Sequence, residues 1–349
     1  MRQTAPAEPD RPILRGPVGT LLARAYAAAA TRRNQRFNNG HRVVTLDRPV
    51  ISVGNLSLGG TGKTPMVQRI VAHLRDHGHD PAIAMRGYGA RRTGLSDEAE
   101  LYKSAFDDLP IVAQPRRLEG LFQLFATERG RRVDCVVLDD GFQHRFIARQ
   151  LNLVLIDAAH DPFTARVVPA GRLREPAAGL ARATHAALTH AETVDTARAR
   201  SLAAQVAAAA GLTECAITAH EWTGLTVQTA DHNHPEPVSF LAGKRTVAAC
   251  AIGRPDAFLA ACARAGARIT ESIILRDHDP FSQATVARIR HAAAGTDAIL
   301  LTAKDWTKLA PRNIDWPVPV CIPTLDLHFR TGWDHLAADL LAVAATPPE

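Results

Sequence analysis

Phosphate chemistry is written most plainly at Gly59-Gly60-Thr61-Gly62-Lys63-Thr64, between the apolar run Val50 to Val53 and a helical pattern from Pro65 to His77. Glycines let backbone N–H groups curl around phosphate oxygens at a helix N-terminus, Lys63 supplies charge, and the Thr64 hydroxyl can ligate Mg²⁺. The strict G-x-x-x-x-G-K-[ST] spacing would place its first glycine at Ser57, so a merely structural Gly-rich turn is the competing reading. Two facts favour the nucleotide loop: the strand-to-helix setting, and the rarity of lysine, which occurs only at Lys63, Lys103, Lys244, Lys304 and Lys308. The expected ligand is a nucleoside triphosphate such as ATP.

A second signal is the apolar run from Val133 that ends in Asp139-Asp140-Gly141. Alone this is an ordinary turn. At the carboxyl end of a parallel strand beside a phosphate loop, either aspartate is placed to hold Mg²⁺ directly or through water. Thr64, Asp139 and Asp140 are therefore the candidate metal ligands.

The elements that must position these residues alternate apolar runs with helical patterns. Strand-like runs fall at Val50 to Val53, Pro81 to Met85, Pro110 to Ala113, Val133 to Leu138 and Leu151 to Ile156. This βαβ rhythm predicts a parallel sheet of the P-loop NTPase type. A further set of short strands and Ala-rich helices after Thr184 predicts a second, smaller α/β domain, with a hairpin or excursion at Thr223 to Val238. Before both lies Pro12 to Phe37, with Leu14, Val18, Leu21, Leu22 and Tyr26 at helical spacing among arginines. Such a basic amphipathic helix can lie in a bilayer interface or pack on the protein's own body. The expected organisation is 1–37 for this helix, 38–160 for the nucleotide-binding domain, 161–335 for the second α/β domain closing over the active-site cleft, and 336–349 for the C-terminal helix end and tail.

Composition agrees with a folded two-domain protein. The chain has 349 residues, 46% of them hydrophobic, which excludes disorder as the main state. A net charge of +6 and few aromatics give no reason to expect nucleic acid. Five widely spaced cysteines show no zinc or disulfide pattern, so they are expected as buried small side chains in a reducing cytosol. No run reaches the ~18 apolar residues of a membrane span, and no signal peptide is visible.

In combination the motifs resemble the tetraacyldisaccharide 4′-kinases of lipid A biosynthesis. The likeness runs from about Arg48 to Leu309: VGNLSLGGTGKTP at Val53 to Pro65, RGYG at Arg86 to Gly89, DDGFQHR at Asp139 to Arg145, PAGRLREP at Pro169 to Pro176, AIGRP at Ala251 to Pro255, Asp277-His278, and LTAKD at Leu301 to Asp305. The resemblance implies transfer of the ATP γ-phosphoryl group, with Mg²⁺, to the 4′-hydroxyl of a tetraacylated glucosamine disaccharide 1-phosphate, giving a lipid IVA-type product. It also implies a peripheral or monotopic protein on the cytoplasmic face of the bacterial inner membrane, held there through the N-terminal helix.

Asp97 matches the family's catalytic aspartate and His278 the histidine that pairs with it; from the residues alone they read as a solvated loop carboxylate and a surface histidine. The chain departs from the family at Ser96 and Ala99, where Gly and Pro are usual, at Arg172 for Pro, and at Ala303 for Glu. Because donor and acceptor both carry phosphate, Arg86, Arg117, Arg172 and Arg174 are candidate contacts, some of them bystanders in an arginine-rich chain. His144 is a candidate substrate contact or a structural histidine. A nucleotide-driven switch would carry the same phosphate loop, and the loop does not separate the two classes.

Overall fold

The computed structural model describes residues 14, 16–87, 97–229, 232–277 and 279–346, without the side chains of Asp97 and Glu98. In chain order the elements are α1 (Gly16–Asn38), β1 (Val50–Asn55), α2 (Lys63–Asp76), β2 (Pro81–Met85), α3 (Asp97–Ala105), β3 (Ile111–Ala113), α4 (Arg117–Phe125), α5 (Glu128–Arg131), β4 (Cys135–Asp139) and β5 (Leu151–Asp157). They continue with β6 (His185–Thr189), α6 (Thr196–Ala210), β7 (Ala216–Gln228), β8 (Asn233–Glu236), β9 (Arg245–Cys250), α7 (Pro255–Arg264) and β10 (Arg268–Ile274). The last are α8 (Gln283–Ala293), β11 (Ala298–Leu301), α9 (Ala303–Leu309), β12 (Val320–Thr331) and α10 (Trp333–Ala344). The described residues form two compact units, one of those at 14–220 together with those at 327–346, the other of those at 221–326. The chain leaves the first along β7 and returns to it along β12.

In the larger unit the strands run β7-β6-β5-β1-β4-β2-β3, all parallel. β1, β2, β4 and β5 are buried along their whole length, because helices cover both faces of the sheet. That is why they read as unbroken apolar runs. On one face Met66, Ile70 and Leu74 of α2 pack with Leu336 and Leu340 of α10; elsewhere Leu202 and Val206 of α6 pack with Val154 and Leu188. β1 lies between β5 and β4, so the chain departs in opposite directions on either side of it, the arrangement that opens a crevice at the strands' carboxyl ends.

The smaller unit has its own parallel strands, in the order β10-β9-β11-β12, around a core of Val247, Ile273, Ile289, Ile299 and Leu301. The excursion expected after Thr223 is a hairpin: β8 pairs antiparallel with the end of β7, Leu225 opposite Glu236. All five cysteines are buried and free.

In α1 the small residues Ala23 and Ala30 are buried and Gly19 lies against Leu14, while Val18 and Leu21 are 66% and 68% exposed. Among the described residues no helix is long and apolar enough to cross a membrane.

Candidate active site

The glycine-rich segment is the connection from β1 to α2. Gly59 and Gly62 have φ of 103° and 72°, the left-handed region that glycine enters without steric cost. Gly62 is also the position just before α2, where a Cβ would stand 2.8 Å from His220 Cε1. Thr61 anchors the loop from below: Asn55 Nδ2 donates to its hydroxyl at 2.7 Å, and the Thr189 hydroxyl donates to its carbonyl at 3.1 Å. Lys63 and Thr64 open α2, whose first turn has no side-chain cap. Its leading N–H groups and the helix dipole therefore favour an anion there.

Asp139 closes β4 in register with Val53 of β1. The Tyr102 hydroxyl donates to Oδ2 at 3.0 Å, while Oδ1 is buried with no hydrogen-bond partner among the described residues. Burial pushes this carboxyl above its ordinary range although the Lys63 charge opposes the shift. Asp140, next along, is in the left-handed region at φ 52°. Its carboxylate stands 3.7 Å from Lys63 Nζ, and both of its oxygens accept from Arg174 Nη1 at 2.8 Å. Burial would raise its pKa, but Lys63 and Arg174 outweigh burial and hold the carboxyl below the usual range. Adjacent carboxylates thus have opposite character.

Around them is a polar frame. Gln143 Nε2 donates to the Asn55 carbonyl at 2.7 Å and to Glu175 Oε1 at 3.0 Å, and Gln143 Oε1 accepts from Arg174 at 3.3 Å. Fully buried Glu175 also accepts from Arg182 at 2.9 Å and from Asn34 of α1 at 2.6 Å. The Tyr26 hydroxyl of α1 donates to the Arg174 carbonyl at 2.9 Å, so α1 borders the site. The strip through Arg172 and Arg174 is tied to the glycine-rich connection by Leu58 N–H to the Arg172 carbonyl, 2.8 Å, and Arg174 N–H to the Leu56 carbonyl, 2.7 Å. Arg172 also sends Nη2 to the Leu58 carbonyl at 3.3 Å.

Beside this frame opens a cavity of about 980 Å³ lined by Arg33, Arg42, Arg86, Arg116, Arg117 and Arg174, with Asp140, His144, Leu58 and Phe146 also on its wall. Arg117 is buried and donates Nη1 to the Asp140 carbonyl at 3.3 Å. His144 has a buried Nε2 without a hydrogen-bond partner among the described residues. Burial, reinforced by Arg117, Arg149 and Arg86, pushes its pKa down to about 4, so the imidazole is neutral at pH 7. Six guanidinium groups against the two carboxylates Asp140 and Glu119 leave the lining net positive, and their flat donor forks suit phosphate.

The structure therefore brings together Gly59 to Thr64, Asp139, Asp140, Arg86, Arg117, His144 and Arg174. Asp97 opens α3 with its side chain outside the described residues, and His278 lies outside them altogether. Tyr102, Glu175, Gln143, Thr189 and the arginines at 33, 42 and 116 were not singled out from the sequence. Gln143 and Glu175 stand inside the DDGFQHR and PAGRLREP segments, where a polar residue between functional ones was a usable signal. Tyr102 carried none, being 37 positions from Asp139.

Fold and site together define an α/β protein on a mostly parallel sheet, with an arginine-lined anion cavity beside a glycine-rich strand-to-helix turn. The family described as Tetraacyldisaccharide-1-P 4′-kinase (LpxK) matches residues 18–344, and the chain belongs to that family. A tetraacyldisaccharide 4′-kinase from Geobacter metallireducens is 35% identical over 309 residues, covering 83% of this chain and 88% of that protein. One from Anaeromyxobacter sp. Fw109-5 is 32% identical and covers 97% of this chain and 94% of its own. Among solved structures, LpxK from Aquifex aeolicus in complex with ATP shares the fold at a TM-score of 0.70 and 24% identity, over 94% of this chain and 98% of that one.

Proposed function

We propose that the protein is an ATP-dependent lipid kinase that phosphorylates the 4′-hydroxyl of a tetraacylated glucosamine disaccharide 1-phosphate, the step that yields a lipid IVA-type bisphosphate in lipid A synthesis. The observation that carries this reading is the arginine-lined cavity adjoining the phosphate loop, with Asp140 shared between Lys63 of that loop and Arg174 of the cavity wall. In this reading the fold is of the P-loop NTPase type, and the donor phosphates would lie over the N-terminus of α2, against Gly59, Gly60, Thr61, Gly62, Lys63 and Thr64, a reading supported by the uncapped first turn of α2. The solved Aquifex relative is a complex with ATP, and ATP is the donor proposed here.

The acceptor's anionic end belongs with Arg86, Arg117, Arg174 and neutral His144. Phosphoryl transfer asks mostly for positioning and charge neutralisation, which these residues supply. Mg²⁺ fits the donor set: Asp139 Oδ1 is a buried carboxylate oxygen with no hydrogen-bond partner among the described residues, and Thr64 stands in the first turn of α2 next to Lys63. Asp139 and Thr64 would hold the ion and Asp140, engaged by Arg174, would orient the cations around it; the ion would neutralise charge on the phosphates. Asp97 takes the proton of the acceptor hydroxyl and His278 orients that carboxylate, roles carried over from the family. The outward apolar face of α1 rests on the inner membrane's cytoplasmic surface, where the acceptor's acyl chains are.

The test is phosphate transfer from labelled ATP to the tetraacyl disaccharide 1-phosphate in detergent, native protein against Asp97→Ala. Labelled lipid that disappears in the variant, with ATP still bound, is the expected result. ATP hydrolysis by the native protein with no labelled lipid would reject the kinase in favour of a nucleotide-driven switch.

A further inference from the structure

We propose that His185, His335 and Asp339 form a binding site for a divalent cation of the zinc class, separate from the phosphate loop. His185 opens β6, and His335 and Asp339 are one turn apart on α10. Asp339 Oδ2 stands 2.9 Å from His185 Nε2 and 3.5 Å from His335 Nε2, and one donor atom from each residue lies within 4.8 Å of the other two. In a tetrahedral site with metal–ligand bonds of ~2.0–2.2 Å, donor atoms are about 3.3 Å apart. The two distances to Asp339 Oδ2 bracket that value.

The outer partners make the case stronger than proximity alone does. A metal-bound imidazole normally donates its other ring N–H to an oxygen, which fixes the tautomer and the ring plane. Both histidines have that oxygen: Glu214 Oε1 is 3.2 Å from His335 Nδ1, and the Thr184 hydroxyl is 3.1 Å from His185 Nδ1. The Thr184 oxygen is itself held by the Asn152 N–H at 2.8 Å. Each ring therefore turns Nε2 toward the same Asp339 oxygen and Nδ1 toward an acceptor.

Two imidazoles and one carboxylate select Zn²⁺ and its neighbours over Mg²⁺, which prefers an all-oxygen shell. The site ties α10 to β6 within the larger unit. α10 in turn packs on α2, where His73 Nε2 is 3.3 Å from the Ala337 carbonyl and Arg69 lies over the Trp333 ring. At its other end β6 holds the phosphate loop through Thr189. An ion here would brace both supports of that loop.

The experiment is calorimetric titration of ZnCl₂ into metal-stripped, full-length protein, with MgCl₂ as control, for the native chain, His335→Gln, Asp339→Asn and Glu214→Gln. His335, Asp339 and Glu214 are exposed, so folding should survive, and an unchanged circular dichroism spectrum checks it. One equivalent of Zn²⁺ should bind, with a rise in the thermal midpoint. His335→Gln and Asp339→Asn should weaken it at least 100-fold, and Glu214→Gln, which removes no ligand, by ~10-fold. No zinc binding by the native protein, or His335→Gln titrating like it, overturns the proposal.

Discussion

One guanidinium nitrogen of Arg174 stands 2.8 Å from both carboxylate oxygens of Asp140, while Lys63 of the glycine-rich turn approaches the same carboxylate at 3.7 Å. Asp140 is thus a junction between the loop and the cavity wall, and its neighbour Asp139 keeps the uncommitted oxygen. Arg174→Ala should release that junction. Because the pair is partly exposed, the loss of stability should be only ~1–2 kcal/mol, whereas transfer should fall on the order of 100-fold. Thermal denaturation and the transfer assay, run side by side, check the split; equal loss in both would reduce Arg174 to a structural residue.

Asp139→Asn should separate stability from activity in the opposite sense. Burial raises the Asp139 pKa, so the ionised form is disfavoured in the fold. The sign follows: the unfolded chain gives up this proton near the ordinary value, and the carboxyl costs stability increasingly as pH rises from there toward its folded pKa. The amide removes that cost. The variant should melt higher than the native protein at pH 7 and transfer phosphate at least 100-fold more slowly, by calorimetry and transfer assay. A variant that is active or less stable contradicts the assignment.

His144 should titrate near pH 4, where an ordinary histidine titrates near 6.5. Between these values the unfolded chain takes up a proton that the folded site refuses, so the residue's contribution to stability is lost as pH falls through that window and is fully present above it. Following its imidazole carbon proton by NMR gives the midpoint directly. Inorganic phosphate in the arginine cavity should raise the midpoint by offsetting the neighbouring positive charge, and an unmoved His144 would mean that anions bind elsewhere.

Outward Val18 and Leu21 should matter for membrane binding and not for chemistry, since the residues that α1 buries are Gly19, Ala23 and Ala30. Val18→Glu with Leu21→Glu should cut sedimentation with anionic vesicles at least 10-fold while leaving transfer to detergent-dispersed acceptor unchanged. Vesicle binding at the native level would exclude α1 as the membrane contact.

The sequence by itself determined what is local. The strand runs at Val50, Pro81, Val133 and Leu151 were legible because a parallel strand buried on both faces must be apolar throughout, and the glycine-rich turn because few other sequences support its backbone. The segment after Thr223 was legible only as a hairpin or excursion, and its pairing as β7 with β8 is tertiary. What tertiary structure alone decided is which distant side chains meet. Strand order sets β4 beside β1 and brings Tyr102 to Asp139; the strip after Pro169 lies along the phosphate loop and delivers Arg174 to Asp140. The passage from one unit to the other falls inside the continuous strand β7, where no Pro- or Gly-rich linker marks it. The histidines followed the same rule: His185 and His335 are 150 positions apart and show no metal spacing, yet α10 packs back against the sheet and turns both toward Asp339. Periodicity is a property of neighbours in the chain, and a site is a property of neighbours in space.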